Sequence, residues 1–152
     1  VTPHAGEFAR LLGRPEARAS IDRFGEAAPL AAALGATVLC KGVPTVVAAP
    51  DGRVRVVAAG TPALAVGGSG DLLAGIAGAF LAQGVEPFDA ATIAAWAHGA
   101  AAERATVARR GWRGTTLDDV VAALQALWGD VEPDGARDAG ILAALPAVAA
   151  DR

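Results

Sequence analysis

The sequence predicts an α/β fold, a three-layer α/β/α sandwich whose sheet is mostly parallel with one antiparallel hairpin. Three observations predict it. Helix and strand signals alternate through the first half, as in successive βαβ units. Pro50, Asp51 and Gly52 form a turn between two β-branched runs, which is a hairpin signature. Alanine-rich stretches with helical periodicity fill the second half, where helices packed on a sheet belong.

Composition bounds what this chain can be. Its 152 residues are enough for one domain with a real core, and a hydrophobic share of 53% is too high for a disordered chain. The net charge of −3 and the scattered arginines, Arg109-Arg110 apart, argue against nucleic-acid binding through a basic face. The single cysteine, Cys40, excludes an internal disulfide and lies in an apolar run, where an inert buried thiol is expected. No apolar run long enough to span a membrane is free of Gly, Pro or charge, and nothing resembles a secretory signal, so a cytoplasmic protein without membrane partners is expected.

In chain order, Pro3 forces Thr2 to be extended, and Glu7 to Leu12 form a short helix stopped by Gly13. His4 falls in the connecting loop, a usual place for binding residues, although a lone loop histidine is more often plain surface. Ser20 caps a helix over Ile21–Leu34 closed by Gly35, with Pro29 expected to break or kink it. Ala36–Cys40 suits a buried strand. Lys41-Gly42-Val43-Pro44-Thr45 follows at the strand's carboxyl end, where ligands collect in open α/β sheets; a turn with a solvated lysine fits the same residues. Thr45–Ala49 and Val54–Ala58 form the hairpin, and the chain then runs as a strand through Gly60–Ala65.

The chain is organised around Val66-Gly67-Gly68-Ser69-Gly70-Asp71-Leu72-Leu73-Ala74-Gly75. Leu72, Leu73, Ile76, Phe80 and Leu81 recur at helical spacing after it, which predicts a tight loop opening a buried helix. Gly68, Ser69 and Gly70 then form an anion hole, because the first amides of a helix have no internal partner and carry partial positive charge. Asp71 would repel a phosphate, so its presence points to proton chemistry beside the phosphate or to a bound cation. An aspartate that merely caps the helix reads the same way on spacing alone. Neither the Walker loop nor the dinucleotide fingerprint is present.

Asp89 is expected to cap a helix from about Ala90 to Val107, with Ile93, Trp96, Ala97 and Ala100 facing the sheet and His98 a satisfied helix histidine rather than a catalytic one. Thr115 or Thr116 caps a helix with Val120, Val121, Leu124 and Leu127 on its apolar side. Gly129–Asp138 reads as an acidic turn-rich stretch, and Ala139–Ala150 as a short terminal helix broken near Pro146. No metal-ligand cluster appears.

Four stretches, Thr2–Phe8, Lys41–Thr45, Gly67–Gly75 and Trp96-Ala97-His98-Gly99, stand in an order and spacing that resembles the ADP-dependent NAD(P)H-hydrate dehydratases. These form the carboxy-terminal domain family of the YjeF type, within the ribokinase-like superfamily. Gly-Ser-Gly-Asp is shared with the small-molecule kinases of that superfamily, and the histidine and Lys-Gly-Val-Pro-Thr stretches narrow the match. The resemblance implies removal of water from the S form of NADHX or NADPHX, with ADP converted to AMP and phosphate and magnesium assisting. It implies that His4 and Asp71 contact the hydrated cofactor, Asp71 as the catalytic residue, and that Lys41, Gly42, Val43, Pro44, Thr45 and Gly70 hold the adenine nucleotide.

The match carries to about Leu124, so residues 1–152 are read as a single partial domain with 125–152 as a poorly matched tail. The opening on Val1 and the lack of any methionine lead to the expectation of a fragment whose amino-terminal half lies upstream. A homo-oligomer is expected from the exposed sheet edge and the resemblance, as is an NAD(P)HX epimerase, fused or separate. A ribokinase-like kinase and a nucleotide-binding remnant without turnover are the alternatives; a stable phosphorylated product distinguishes the first, and ADP binding without phosphate release the second.

Overall fold

A computed structural model of the chain describes residues 1–14 and 22–131. Its elements in order are α1 (Ala5–Leu11), α2 (Arg23–Leu34), β1 (Val38–Cys40), β2 (Thr45–Ala48), β3 (Val54–Val57), α3 (Ser69–Ala82), α4 (Pro87–Ala108) and α5 (Leu117–Val131). Short 3-10 turns stand at Pro62–Leu64 and Trp112–Gly114.

The described strands do not form the mostly parallel sheet expected. They lie in the order β1-β2-β3, and both pairings are antiparallel. The connections explain this, since residues 41–44 and 49–53 are too few for the crossover that parallel neighbours need. Among the described residues, parallel pairing occurs only where Val1–Pro3 runs along β1. The Val1 nitrogen donates to the Thr37 carbonyl at 2.8 Å, and the amides of Leu39 and Lys41 donate to the carbonyls of Val1 and Pro3 at 2.9 and 2.8 Å.

Strand alternation divides the buried residues between the two faces of the sheet. Val38, Cys40, Val46 and Ala48 pack with Phe8 of α1 and Ala27, Leu30 and Ala31 of α2. Leu39, Val47 and Val57 point the other way, onto Leu73 and Ile76 of α3 and Phe88, Ala91, Ala94 and Ala95 of α4. Helices therefore cover both faces. Along the far side of α4, Ala101, Ala102 and Ala105 meet Val120 of α5, and Phe80 meets Trp128 edge to face at 5.8 Å. Cys40 is buried and free, and that burial pushes its thiol pKa up against the pull of Arg23, in keeping with an inert thiol.

Several boundaries differ from those read off the sequence. Ser20 lies outside the described residues, and Asp22 caps α2 by accepting from the Phe24 amide at 3.0 Å. Pro29 does not break α2, which continues to Leu34 and ends on left-handed Gly35 because Leu30 and Ala31 beyond the proline are buried against the sheet. Residues 60–65 are not a strand: Pro62 opens a 3-10 turn capped by the Thr61 hydroxyl. The glycine-loop helix is buried only at Ser69, Leu73 and Ile76, and Leu81 is exposed.

Glu86 rather than Asp89 caps α4, its carboxylate accepting from the amides of Phe88 and Asp89. The predicted inner face of α4 is corrected as well. Ala97 is buried, but Trp96 is exposed and Ile93 and Ala100 are only half-buried, on the same open stripe as Val107. In α5, Val121 is exposed, and the helix runs through Gly129–Val131, where turns were expected. Residues 132–152, with the expected terminal helix, lie outside the described residues.

Thr116 caps α5 reciprocally with Asp119. Its hydroxyl accepts from the Asp119 amide at 3.3 Å while the Asp119 carboxylate accepts from the Thr116 amide at 2.9 Å. The Arg109 guanidinium, 2.6 Å away, the Thr116 amide, and the Thr116 hydroxyl, which donates to the Asp119 carboxylate at 2.8 Å, hold that carboxyl well below the usual range. Thr116→Ala is expected to cost about 1 kcal/mol, the ordinary value of an N-cap, read as a lowered midpoint in chemical denaturation. An unchanged midpoint would mean that Asp119 and Arg109 hold this end of α5 without the cap.

Candidate functional site

A cleft of about 510 Å³ opens where the end of β1, the 3-10 turn after β3, the start of α3 and the middle of α4 meet. His4, Lys41, Gly42, Val43 and Thr45 line one side, with Ser69 and Gly70 opposite. Ala59, Gly60, Thr61, His98 and Gly99 contribute to its walls. All four of the stretches that carry the resemblance thus converge. Asp71, Gly68 and Pro44 are outside the lining, Asp71 standing one residue past Gly70 and exposed to solvent.

His4 is not in a free loop but is the N-cap of α1. Its Nδ1 accepts from the amides of Gly6 and Glu7 at 3.0 and 3.2 Å, while the Glu7 carboxylate accepts from the His4 amide at 2.7 Å. With Nδ1 committed as acceptor, the neutral ring carries its proton on Nε2, 3.3 Å from Glu7 Oε1. The His4 amide above all holds the Glu7 carboxyl below the usual range, with smaller help from the Lys41 charge.

The opposite wall is the start of α3. Gly68 takes φ 86°, a left-handed value that favours glycine, and a β-carbon there would crowd Leu117 at 3.2 Å. The turn delivers Ser69, Gly70 and Asp71 into the first helical turn, where the Ser69 and Asp71 amides donate to the Val66 and Gly68 carbonyls at 3.4 and 3.1 Å and the positive end of the helix dipole lies. Lys41 Nζ reaches this loop: it would lie 3.1 Å from a β-carbon built on Gly70. An ammonium reaching across a cleft to a helix amino terminus makes an anion site, and Glu7 lies 3.8 Å from the same ammonium.

His98 is a functional candidate that sequence reasoning set aside. It is satisfied, as expected of a helix histidine, but by the loop itself: its Nε2 lies 3.3 Å from Ser69 Oγ, and both side chains are buried. Burial, then the nearby Lys41 charge, pushes the imidazole pKa below its ordinary 6.5. The unfolded chain therefore takes up this proton first, and stability falls as pH drops through about 6.5 toward the lower folded value. His98→Gln is expected to flatten the decline in melting temperature over that window. An unchanged profile would show that other groups produce it.

Fold and cleft together place the chain among ribokinase-like α/β proteins. A ribokinase-like superfamily protein from Enterococcus faecalis superposes with a TM-score of 0.68 at 27% identity, over 87% of this chain and 44% of that one. The family can be stated: a family model described as NAD(P)H-hydrate dehydratase matches residues 1–126, and the chain belongs to that family.

Its relatives are consistent with one another. The ADP-dependent (S)-NAD(P)H-hydrate dehydratase of Neisseria meningitidis is 50% identical over 103 residues, 68% of this chain and 35% of that protein. The bifunctional NAD(P)H-hydrate repair enzyme of Escherichia coli is 43% identical over 127 residues, 84% of this chain and 24% of that protein. The ADP/ATP-dependent NAD(P)H-hydrate dehydratase of Bacillus subtilis, crystallised with ATP and Mg2+, superposes with a TM-score of 0.78 at 34% identity, over 86% of this chain and 47% of that one. The chain thus spans well under half the length of these curated relatives and just under half of these solved structures. Among the described residues, no helix is long and apolar enough to cross a membrane.

Proposed function

We propose that this chain carries the nucleotide-binding and catalytic part of an ADP-dependent dehydratase that returns (S)-NADHX or (S)-NADPHX to NADH or NADPH. The observation that carries this reading is the convergence of Lys41 and the Ser69-Gly70 amino terminus of α3 on one cleft with His4 at its side. Lys41, Gly42, Val43, Pro44, Thr45 and Gly70 hold the adenine nucleotide, and the amides of Gly68, Ser69 and Gly70 receive its transferring phosphoryl group. His4 and Asp71 contact the hydrated nicotinamide.

Hydroxide is a poor leaving group, so the hydrate is phosphorylated first. Asp71 takes the proton of the hydroxyl, whose oxygen attacks the β-phosphorus of ADP, and the bond to the bridging oxygen breaks to release AMP. The loop amides and Lys41 offset charge on the phosphoryl oxygens. The carbon–oxygen bond of the phosphate ester then breaks, phosphate leaves with the electron pair, and the adjacent carbon loses a proton to give the reduced ring.

No group of three or more His, Cys, Asp or Glu that could hold a metal stands together among the described residues. Magnesium belongs to this reading as a cation that would come with the nucleotide and would neutralise phosphate charge, and no step above is routed through it.

The same reading makes the antiparallel meander one flank of a three-layer, mostly parallel ribokinase-like sheet, which the parallel pairing of Val1–Pro3 supports. A homo-oligomer and an NAD(P)HX epimerase as partner belong to it too; relatives named bifunctional repair enzymes support the latter. The test adds ADP and magnesium to NADHX with the purified protein and follows the near-ultraviolet absorbance of reduced nicotinamide. An ADP-dependent rise is expected. A stable phosphorylated hydrate without reduced nicotinamide would instead mark a kinase.

A further inference from the structure

Arg23 has no part in the reaction above, yet it is tied to the nucleotide loop. It is the first residue of α2, half-buried, and its Nη1 donates to the Pro44 carbonyl at 2.9 Å and to the Lys41 carbonyl at 3.5 Å. These two carbonyls bracket Gly42 and Val43. A β-carbon built on Gly42 would overlap the guanidinium, 2.7 Å from its Cζ. Within the loop, Thr45 Oγ1 donates to the Gly42 carbonyl at 2.7 Å, so the turn is closed from inside by Thr45 and from outside by Arg23.

We propose that Arg23 is a positioning residue for the Lys41–Thr45 loop, and that Gly42 lacks a side chain in order to admit the Arg23 guanidinium rather than to let a nucleotide approach. This rests on the reading that the loop holds ADP. Lys41 Nζ must reach the start of α3 from a turn only a few residues long, and one guanidinium nitrogen shared between two of its carbonyls fixes the direction in which that side chain leaves. Lysine keeps the charge but not the planar guanidinium that fills the space beside Gly42.

The experiment measures ADP dissociation constants and steady-state kinetics for the protein and for R23A, R23K, G42A, the R23A/G42A double variant and K41A. R23A is expected to weaken ADP binding about tenfold, the scale of hydrogen bonds from a charged donor, with the loss in the KM for ADP rather than in kcat. R23K should recover only part of it. G42A should show a similar loss by displacing the guanidinium, and the double variant should be no weaker than the worse single one.

R23A binding ADP as tightly as the unaltered protein, or losses that multiply in the double variant, would overturn the inference while leaving the nucleotide loop in place. Unaltered protein that fails to bind ADP, or K41A that binds it undiminished, would instead overturn the loop assignment and this inference with it. Because G42A adds one methyl group on an exposed turn, it tests the idea even where R23A fails to fold.

Discussion

Asp71→Ala is expected to lower turnover of the hydrated cofactor by about 100- to 10,000-fold, the range of a positioned general base, while ADP still binds. The structure removes one bland account of this residue, that of a helix cap, and leaves the other, a partner of the helix dipole. Asp71 is not the cap of α3; Gly68 occupies that position, and no side chain caps the helix. Its carboxylate makes no ion pair or side-chain hydrogen bond among the described residues, and it is exposed. What it gives the fold is its interaction with the helix dipole, about 0.3–1 kcal/mol. A large loss of rate with a nearly unchanged melting temperature would therefore be chemical in origin. Asp71→Asn, which keeps the shape and removes the base, should fall as far as Asp71→Ala. Full turnover by the Asn variant would remove Asp71 from the proton transfer.

Local features of this site were legible in the sequence because their causes are local. The turn at Gly67–Gly70 needs a left-handed residue, and the hairpin after β2 is made by adjacent turn residues. The direction of the strands was also available from loop lengths, but the βαβ expectation outweighed them. The open stripe of α4 was misread for another reason. Alanines on most sides of that helix are small enough to pack closely, so periodicity could not tell which stripe stays open, and two of its large side chains, Ile93 and Trp96, lie on it. His98 and Arg23 could not be assigned at all from spacing. His98 meets Ser69 across 29 positions, and Arg23 meets Lys41 and Pro44 across 18 and 21. Contacts of that kind exist only once the sheet has brought the segments together.

Gly99→Ala is expected to destabilise the protein by about 3 kcal/mol, at the upper end of overpacking costs. At Gly99, α4 crosses the end of the β3 segment, and a β-carbon there would lie 2.5 Å from the carbonyl carbon of Ala59, with the carbonyl oxygen closer still. The obstacle is backbone and cannot rotate away. Nor can the strand recede freely, because Glu103, one turn further along α4, accepts from the Gly60 amide at 2.7 Å and clamps the same peptide. Either the helix lifts or the Ala59–Thr61 wall of the cleft shifts, so the loss of stability should come with weaker ligand binding. Gly78 supplies the opposite sign. It lies exposed in the middle of α3 with nothing within 4 Å of a built β-carbon, so Gly78→Ala should gain roughly 0.5–1 kcal/mol from helix propensity alone. Thermal melts of the two variants therefore separate a glycine required by close approach from one that is not. A Gly99→Ala protein melting at or above the unaltered temperature would show that α4 does not set the position of this wall.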